Sequence, residues 1–184
     1  MPYEPPPELA ALSLAEVAAL VAERKLPPVE QWSPRHCGDS LMRIAADGRW
    51  FHDANAFGDG EITRPAMVRA FASLLRRGGD GQHWLVTPQQ KLSIVVDDAA
   101  FIATDVVQQD GALTFKLNTD EFVIAGPDHP LRAAGDADTP ALYLAVRSGT
   151  EARLNRSTYL QLIELADANL TVSSQGATFA LVPA

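Results

Sequence analysis

A chain of 184 residues, 47% apolar and 21% charged, can bury a real core as one large domain or two small ones. Its net charge of -8 argues against a dedicated duplex nucleic-acid binder, whose phosphate contacts need a basic face. No apolar run approaches the roughly 20 residues that span a bilayer, and the single cysteine, Cys37, excludes an internal disulfide, so a reducing, cytoplasmic setting is expected.

Residues 1–11 are a Pro-rich lead-in without the basic start and apolar run of a signal peptide. Ser13 and Glu16 form a capping-box pattern ahead of an amphipathic helix. Leu14, Val17, Leu20 and Val21 share its apolar face, and Pro27-Pro28 ends it. Residues 1–31 therefore read as an arm that packs on the body of the chain.

From Trp32 the texture changes. Leu41 to Ile44 and Arg49 to His52 flank Asp47-Gly48, a hairpin signal. A small-residue loop, Asn55 to Glu61, leads to a second helix. Thr63 is its expected N-cap, Arg64-Pro65 its first turn, and Met67, Val68, Phe71, Leu74 and Leu75 its stripe. Arg76-Arg77-Gly78-Gly79 supplies a basic last turn and a glycine stop. Short strands are then expected at His83 to Pro88, Lys91 to Val96, Phe101 to Val107, Leu113 to Leu117, Glu121 to Ala125 and Leu142 to Val146. Gly126 to Pro130 reads as a loop and Gly135 to Pro140 as a polar linker. A helix over Ser157 to Ala166 and a closing hairpin, Val172 to Gly176 with Ala177 to Val182, complete the chain.

One pattern occurs twice. Ile62 to Phe71 is echoed by Leu154 to Ile163: aliphatic, small polar, Arg, then a helix start with apolar residues at helical spacing. Each copy follows a turn, Asp47-Gly48 or Ser148-Gly149. The pattern implies an α+β fold with a duplicated strand–hairpin–helix unit and bent antiparallel sheets. The expected domains are 32–95 and 96–184.

Chemistry-bearing residues are sparse. Cys37-Gly38-Asp39-Ser40 resembles a reactive turn, but His36, its sequence neighbour, diverges from Cys37 on extended backbone and makes a poor base. The four histidines show no metal spacing, and His52-Asp53 offers two ligands at most. Asp97-Asp98 points to opposite faces of a strand and cannot act as a paired acid and base. No glycine-rich phosphate cradle occurs. Neither a metal nor a cofactor is expected.

The repeated arginines, Arg64 and Arg156, stand where helix N–H groups already favour an anion. A cation there needs an offset: a salt bridge, a strand carbonyl, or a bound anion. One of the first two, a structural tie, is expected for at least one copy; charge leaves room for the last, since Trp32 to Ile94 holds eight Lys/Arg against six Asp/Glu, whereas Val95 to Thr150 holds three against nine. Trp84, Thr87, Lys91 and His129 are further candidates for holding a base and its phosphate.

These residues also carry a resemblance. Cys37-Gly38, Ile44-x-x-Asp47-Gly48-x-Trp50 and Ile62-x-Arg64-Pro65 resemble the start of the proteobacterial domain-of-unknown-function family 1285. Trp84-Leu85-Val86-Thr87-Pro88, Lys91, Gly126-Pro127-x-His129-Pro130-Leu131 and Leu154-Asn155-Arg156 fit the rest, from about Trp32 to the C-terminus. The loop from Asp53 to Glu61 is longer than the family pattern. The resemblance implies a duplicated α+β unit whose second half is loosely similar to pleckstrin-homology-like barrels. It further implies a groove between the halves that takes a nucleotide-like ligand, with a role in signalling.

The leading expectation is a non-catalytic module for a small anionic ligand. Arg64 and Arg156 would contact anionic oxygens, Lys91 would neutralise charge, Trp84 would stack, and His129 would hydrogen-bond. One alternative is a protein-interaction module without a small ligand, using exposed strand edges and the N-terminal helix, with a protein partner or a homo-oligomer. The other is an enzyme using Cys37 or His52.

Overall fold

The computed structural model describes residues 12–23, 29–52, 60–136 and 138–183. The expected lead-in, the Pro27-Pro28 stop and most of the Asn55 to Glu61 loop lie outside them. The chain divides into two compact units, residues 1–98 and 99–184.

In the N-terminal unit, α1 (Leu14–Ala22) starts with the expected capping box. The Ser13 hydroxyl and N–H both donate to Glu16 at 2.7 Å, and these bonds hold the Glu16 carboxyl below the usual range. Val17 is buried, and α1 packs on α2 (Pro65–Ala72). Five strands form one sheet: β1 (His36–Ile44), β2 (Trp50–His52), β3 (Leu75–Arg77), β4 (His83–Val86) and β5 (Gln90–Val96), in the order β2-β1-β5-β4-β3. Ile44, Trp50, Leu74, Leu75, Leu85 and Ile94 fill its core, and the Trp50 and Phe71 rings stack at 6.4 Å.

In the C-terminal unit, β6 (Phe101–Gln109), β7 (Ala112–Leu117) and β8 (Phe122–Ile124) form one antiparallel wing. A second wing comprises β9 (Leu131–Gly135), β10 (Pro140–Ala145) and β11 (Glu151–Leu154), giving the order β8-β7-β6-β11-β10-β9. The helix α3 (Arg156–Glu164) packs on β6 and β11, burying Thr158 and Leu162. The hairpin of β12 (Thr171–Ser174) and β13 (Ala177–Ala180) packs against β7 and β9.

The duplication shows in topology. In each large sheet the strands that come first and last in the chain pair in parallel, β1 with β5 and β6 with β11. The wings are antiparallel, so the sheets are bent and mixed rather than purely antiparallel as expected. Parallel partners need a long connection. Hairpin signals in the sequence reveal only neighbours, so the central pairings left no local trace.

Five other features differ from expectation. The helix α2 ends at Ala72, and Arg76-Arg77 lies in strand β3 instead of a last helical turn. Leu74 and Leu75 are consecutive and both buried, and the extended chain gains ladder bonds to β4. The N-cap of α2 is Arg64, not Thr63, because Pro65 takes the first helical position. Cys37 to Ser40 is strand, not turn, and Leu131 to Gly135 is the unforeseen strand β9, poor in β-branched residues. Among the described residues β8 and β9 do not pair, so the second unit is not a closed pleckstrin-homology-like barrel. The β12–β13 hairpin occupies the space against the sheet.

Candidate functional site

The strongest juxtaposition of candidate residues is on the N-terminal sheet. Trp84 on β4 faces Ser93 on β5, and Val86 faces Lys91. Trp84 and Lys91 are thus diagonal neighbours on one face. The Lys91 ammonium stands over the Trp84 ring, 4.5 Å from its centroid, a cation–π contact. Both residues are half-buried.

The hairpin that sets this diagonal is closed by Thr87. Its hydroxyl donates to the Gln90 carbonyl and accepts from the Gln90 N–H, both at 3.1 Å. Thr87 is fully engaged by the turn and offers nothing to a ligand. On the other side of β5, Cys37 faces Lys91 and Asp39 faces Ser93 across the parallel pair. Register therefore places Trp84, Lys91, Ser93, Cys37 and Asp39 on one face. The Asp39 carboxylate accepts the Leu41 N–H at 2.9 Å, where β1 bulges. Cys37 is exposed, with its Sγ 3.8 Å from the Arg35 carbonyl. His36, the preceding residue of β1, alternates to the opposite face and cannot serve it as a base.

Arg64 is exposed at the start of α2, whose cap lacks a side-chain hydrogen bond. Arg156, in the other unit, is exposed at the first position of α3. Among the described residues neither guanidinium has an acidic or carbonyl partner, so the structural tie expected for at least one of them is not made there. His129 is half-buried, and its Nδ1 lies 3.0 Å from the Ala145 carbonyl. That geometry puts the ring proton on Nδ1 and ties the Gly126 to His129 turn to the end of β10. Nε2 remains for an outside partner.

The structure brings Trp84 and Lys91 together. Arg64 belongs to the same unit, and Arg156 and His129 belong to the other. His52 is exposed at the end of β2, and no cluster of three metal-binding side chains occurs among the described residues. Among the described residues no helix is long and apolar enough to cross a membrane.

Sequence reasoning missed two arrays in the C-terminal unit. Arg147 pairs with Glu121 at 2.9 Å while its guanidinium covers the Phe101 ring at 5.0 Å. The edge strand β8 turns Phe122 and Ile124 outward and buries Val123 between them. The second was legible in principle, since Phe-Val-Ile places two large apolar residues on whichever face Val123 does not occupy.

Residues 27–99 match the domain of unknown function DUF1285, N-terminal domain, and residues 100–181 match the DUF1285 C-terminal domain. A solved DUF1285 family protein from Silicibacter pomeroyi DSS-3 is 39% identical, with TM-score 0.75, covering 85% of this chain and 87% of that one. A second, from Shewanella baltica OS155, is 21% identical, with TM-score 0.54, covering 68% of this chain and 91% of that one. At that identity it supports the fold alone. No curated protein matches.

Proposed function

The chain belongs to the DUF1285 family, and for this member we propose a non-catalytic, cytoplasmic sensing module that binds a small anionic, nucleotide-like ligand on its N-terminal sheet. The observation that carries the reading is the Lys91 ammonium 4.5 Å from the Trp84 ring. An indole beside a cation matches both parts of a nucleotide: the base stacks on the ring, and the phosphate neutralises the ammonium. Arg64, exposed and unpaired among the described residues, supplies a second cation in the same unit. Arg156 and His129, in the C-terminal unit, are candidate anion and hydrogen-bond contacts of that unit alone.

The test is thermal unfolding of the full chain against mono-, di- and cyclic nucleotides and phosphorylated metabolites. A ligand at about a hundred times its dissociation constant adds about 2.7 kcal/mol, which raises the midpoint by about 5–10 °C in a chain of this size. The shift should be selective and should vanish in Lys91→Gln, which keeps the side-chain stem and removes the charge. A panel that stays flat at millimolar concentrations sinks the proposal.

A further inference from the structure

We infer that the free edge of β8 pairs with the same strand of a second copy of this chain, giving a two-fold antiparallel dimer. The direction of the backbone groups follows from register. Leu117 N–H donates to Glu121 and Ala125 N–H to Leu113, each at 2.8 to 2.9 Å, and Phe115 faces Val123 midway between them. In an antiparallel pair, bonded rungs alternate with unbonded ones. Val123 thus directs its N–H and C=O groups to β7, as do the Glu121 carbonyl and the Ala125 N–H, and Phe122 and Ile124 direct theirs outward. The side chains of those two residues are also exposed, Phe122 at 67% and Ile124 at 45%.

The other edges of the two large sheets are guarded. Strand β3 carries Arg76 and Arg77, β9 lies against β13, and β2 is bridged by Glu61 through Phe51. Charges and cover are the usual protection of an edge. Strand β8 has neither within Phe122, Val123 and Ile124. It is nonetheless held extended at both ends. Glu121 pairs with Arg147, and the buried Ser174 hydroxyl donates to the Ala125 carbonyl at 2.7 Å. A preformed edge costs little ordering on association.

The occupant follows from self-complementarity. With the two-fold axis at Val123, Phe122 of each copy faces Ile124 of the other on a hydrogen-bonded rung. An aromatic opposite a β-branched residue is a favourable cross-strand pair, and symmetry makes it twice. On the same face, Thr114 and Val107 continue the row from Ile124, and Lys116 and Asp105 continue the row from Phe122. Inside each copy Lys116 pairs with Asp120 at 3.2 Å and Glu121 with Arg147, and the Gln161 amide donates to the Asp105 carboxylate at 3.0 Å. Apolar side chains meet apolar ones, and no like charges are forced together. A charged peptide would find no countercharge on the three residues of this edge.

Sedimentation equilibrium of the full chain, from low micromolar to near-millimolar, tests the inference beside two variants. Ile124→Pro removes one outward N–H without touching the β7 ladder, the position at which an edge strand tolerates proline. Phe122→Lys places a charge beside the axis and leaves the backbone free. The wild type should dimerise, each variant should weaken the dimer by about tenfold or more, and unchanged circular dichroism should report the fold. A wild type that is monomeric throughout overturns the inference, as does a dimer indifferent to both variants. A monomeric wild type that binds an uncharged extended peptide of alternating apolar residues also overturns it, assigning the edge to a foreign strand. Lys91→Gln should dimerise like the wild type, which separates failure here from failure of the ligand reading.

Discussion

At the scale of single residues, the two helix starts of the echoed pattern have opposite chemistry. Asn155 caps α3 by accepting the Thr158 N–H at 2.8 Å. Arg64 caps α2 with nothing and brings a cation to the positive end of the helix. Asn155→Ala should therefore cost about 1 kcal/mol, a fall of about 2–4 °C in Tm. Arg64→Ser should raise stability by a similar amount, about 1 kcal/mol, and lose affinity for the anionic ligand. That pairing of gain and loss is the expected signature of a residue kept for binding rather than folding. A drop in Tm for Arg64→Ser would instead make the arginine structural. Three turn aspartates set the acid limit. The Arg49 N–H lowers the pKa of Asp47, the Thr139 hydroxyl that of Asp136, and the Thr171 N–H that of Asp167. Their native pKa values lie below the ordinary value of about 3.9, so the unfolded chain binds more protons as pH falls. Their contribution is present above that range and is lost beneath it. Stability should decline as pH drops below about 4, and Asp167→Asn should flatten the decline.

At the scale of elements, local signals were legible and long-range pairings were not. The capping box at Ser13 and the Asp47-Gly48 hairpin each lie within a few residues and met their expected geometry. The β1–β5 pairing joins residues 54 apart, Cys37 and Lys91, and no local pattern encodes it. The candidate site divides the same way: the tight β4–β5 hairpin brings Trp84 and Lys91 together locally, whereas Cys37 and Asp39 join their face only through the long-range β1–β5 pairing. A strand can also hide an irregularity. Asp39 pairs with Ser93 and Arg43 with Val95, so β1 takes four residue steps where β5 takes two. Leu41 turns through φ 55 to absorb the excess, and its side chain is left exposed. Leu41→Gly should relieve the left-handed strain and raise stability by about 1 kcal/mol. Gly135 is the reverse case, with φ 81 and the Thr139 carbonyl where a Cβ would sit. Gly135→Ala should cost about 2 kcal/mol or more through strain and loosen the β9–β10 hairpin, read as faster amide exchange there.

At the scale of the whole molecule, the repeated arrangement is two sheets that each close first strand against last, built from sequences whose only visible echo is the ten-residue helix start. That echo marks a local supersecondary unit, and the units' topology is kept around it with the helix moved: α2 precedes β3, whereas α3 follows every strand of its sheet. Charge is partitioned as well. Residues 99–184 hold five Lys/Arg against ten Asp/Glu, and residues 1–98 hold ten against thirteen. Two copies meeting at β8 therefore bring together the more acidic units, and their long-range repulsion opposes the short-range apolar gain. Screening lengths fall from about 30 Å at 0.01 M salt to about 10 Å at 0.1 M. Dimerisation through β8 should therefore tighten as salt rises, and tighten again as pH approaches the isoelectric point of about 4.9. Association held by intermolecular ion pairs would follow the opposite salt dependence. Repeating the sedimentation series at low and high salt checks the sign. A dimer that weakens with salt places the interface on charged surface, away from Phe122 and Ile124.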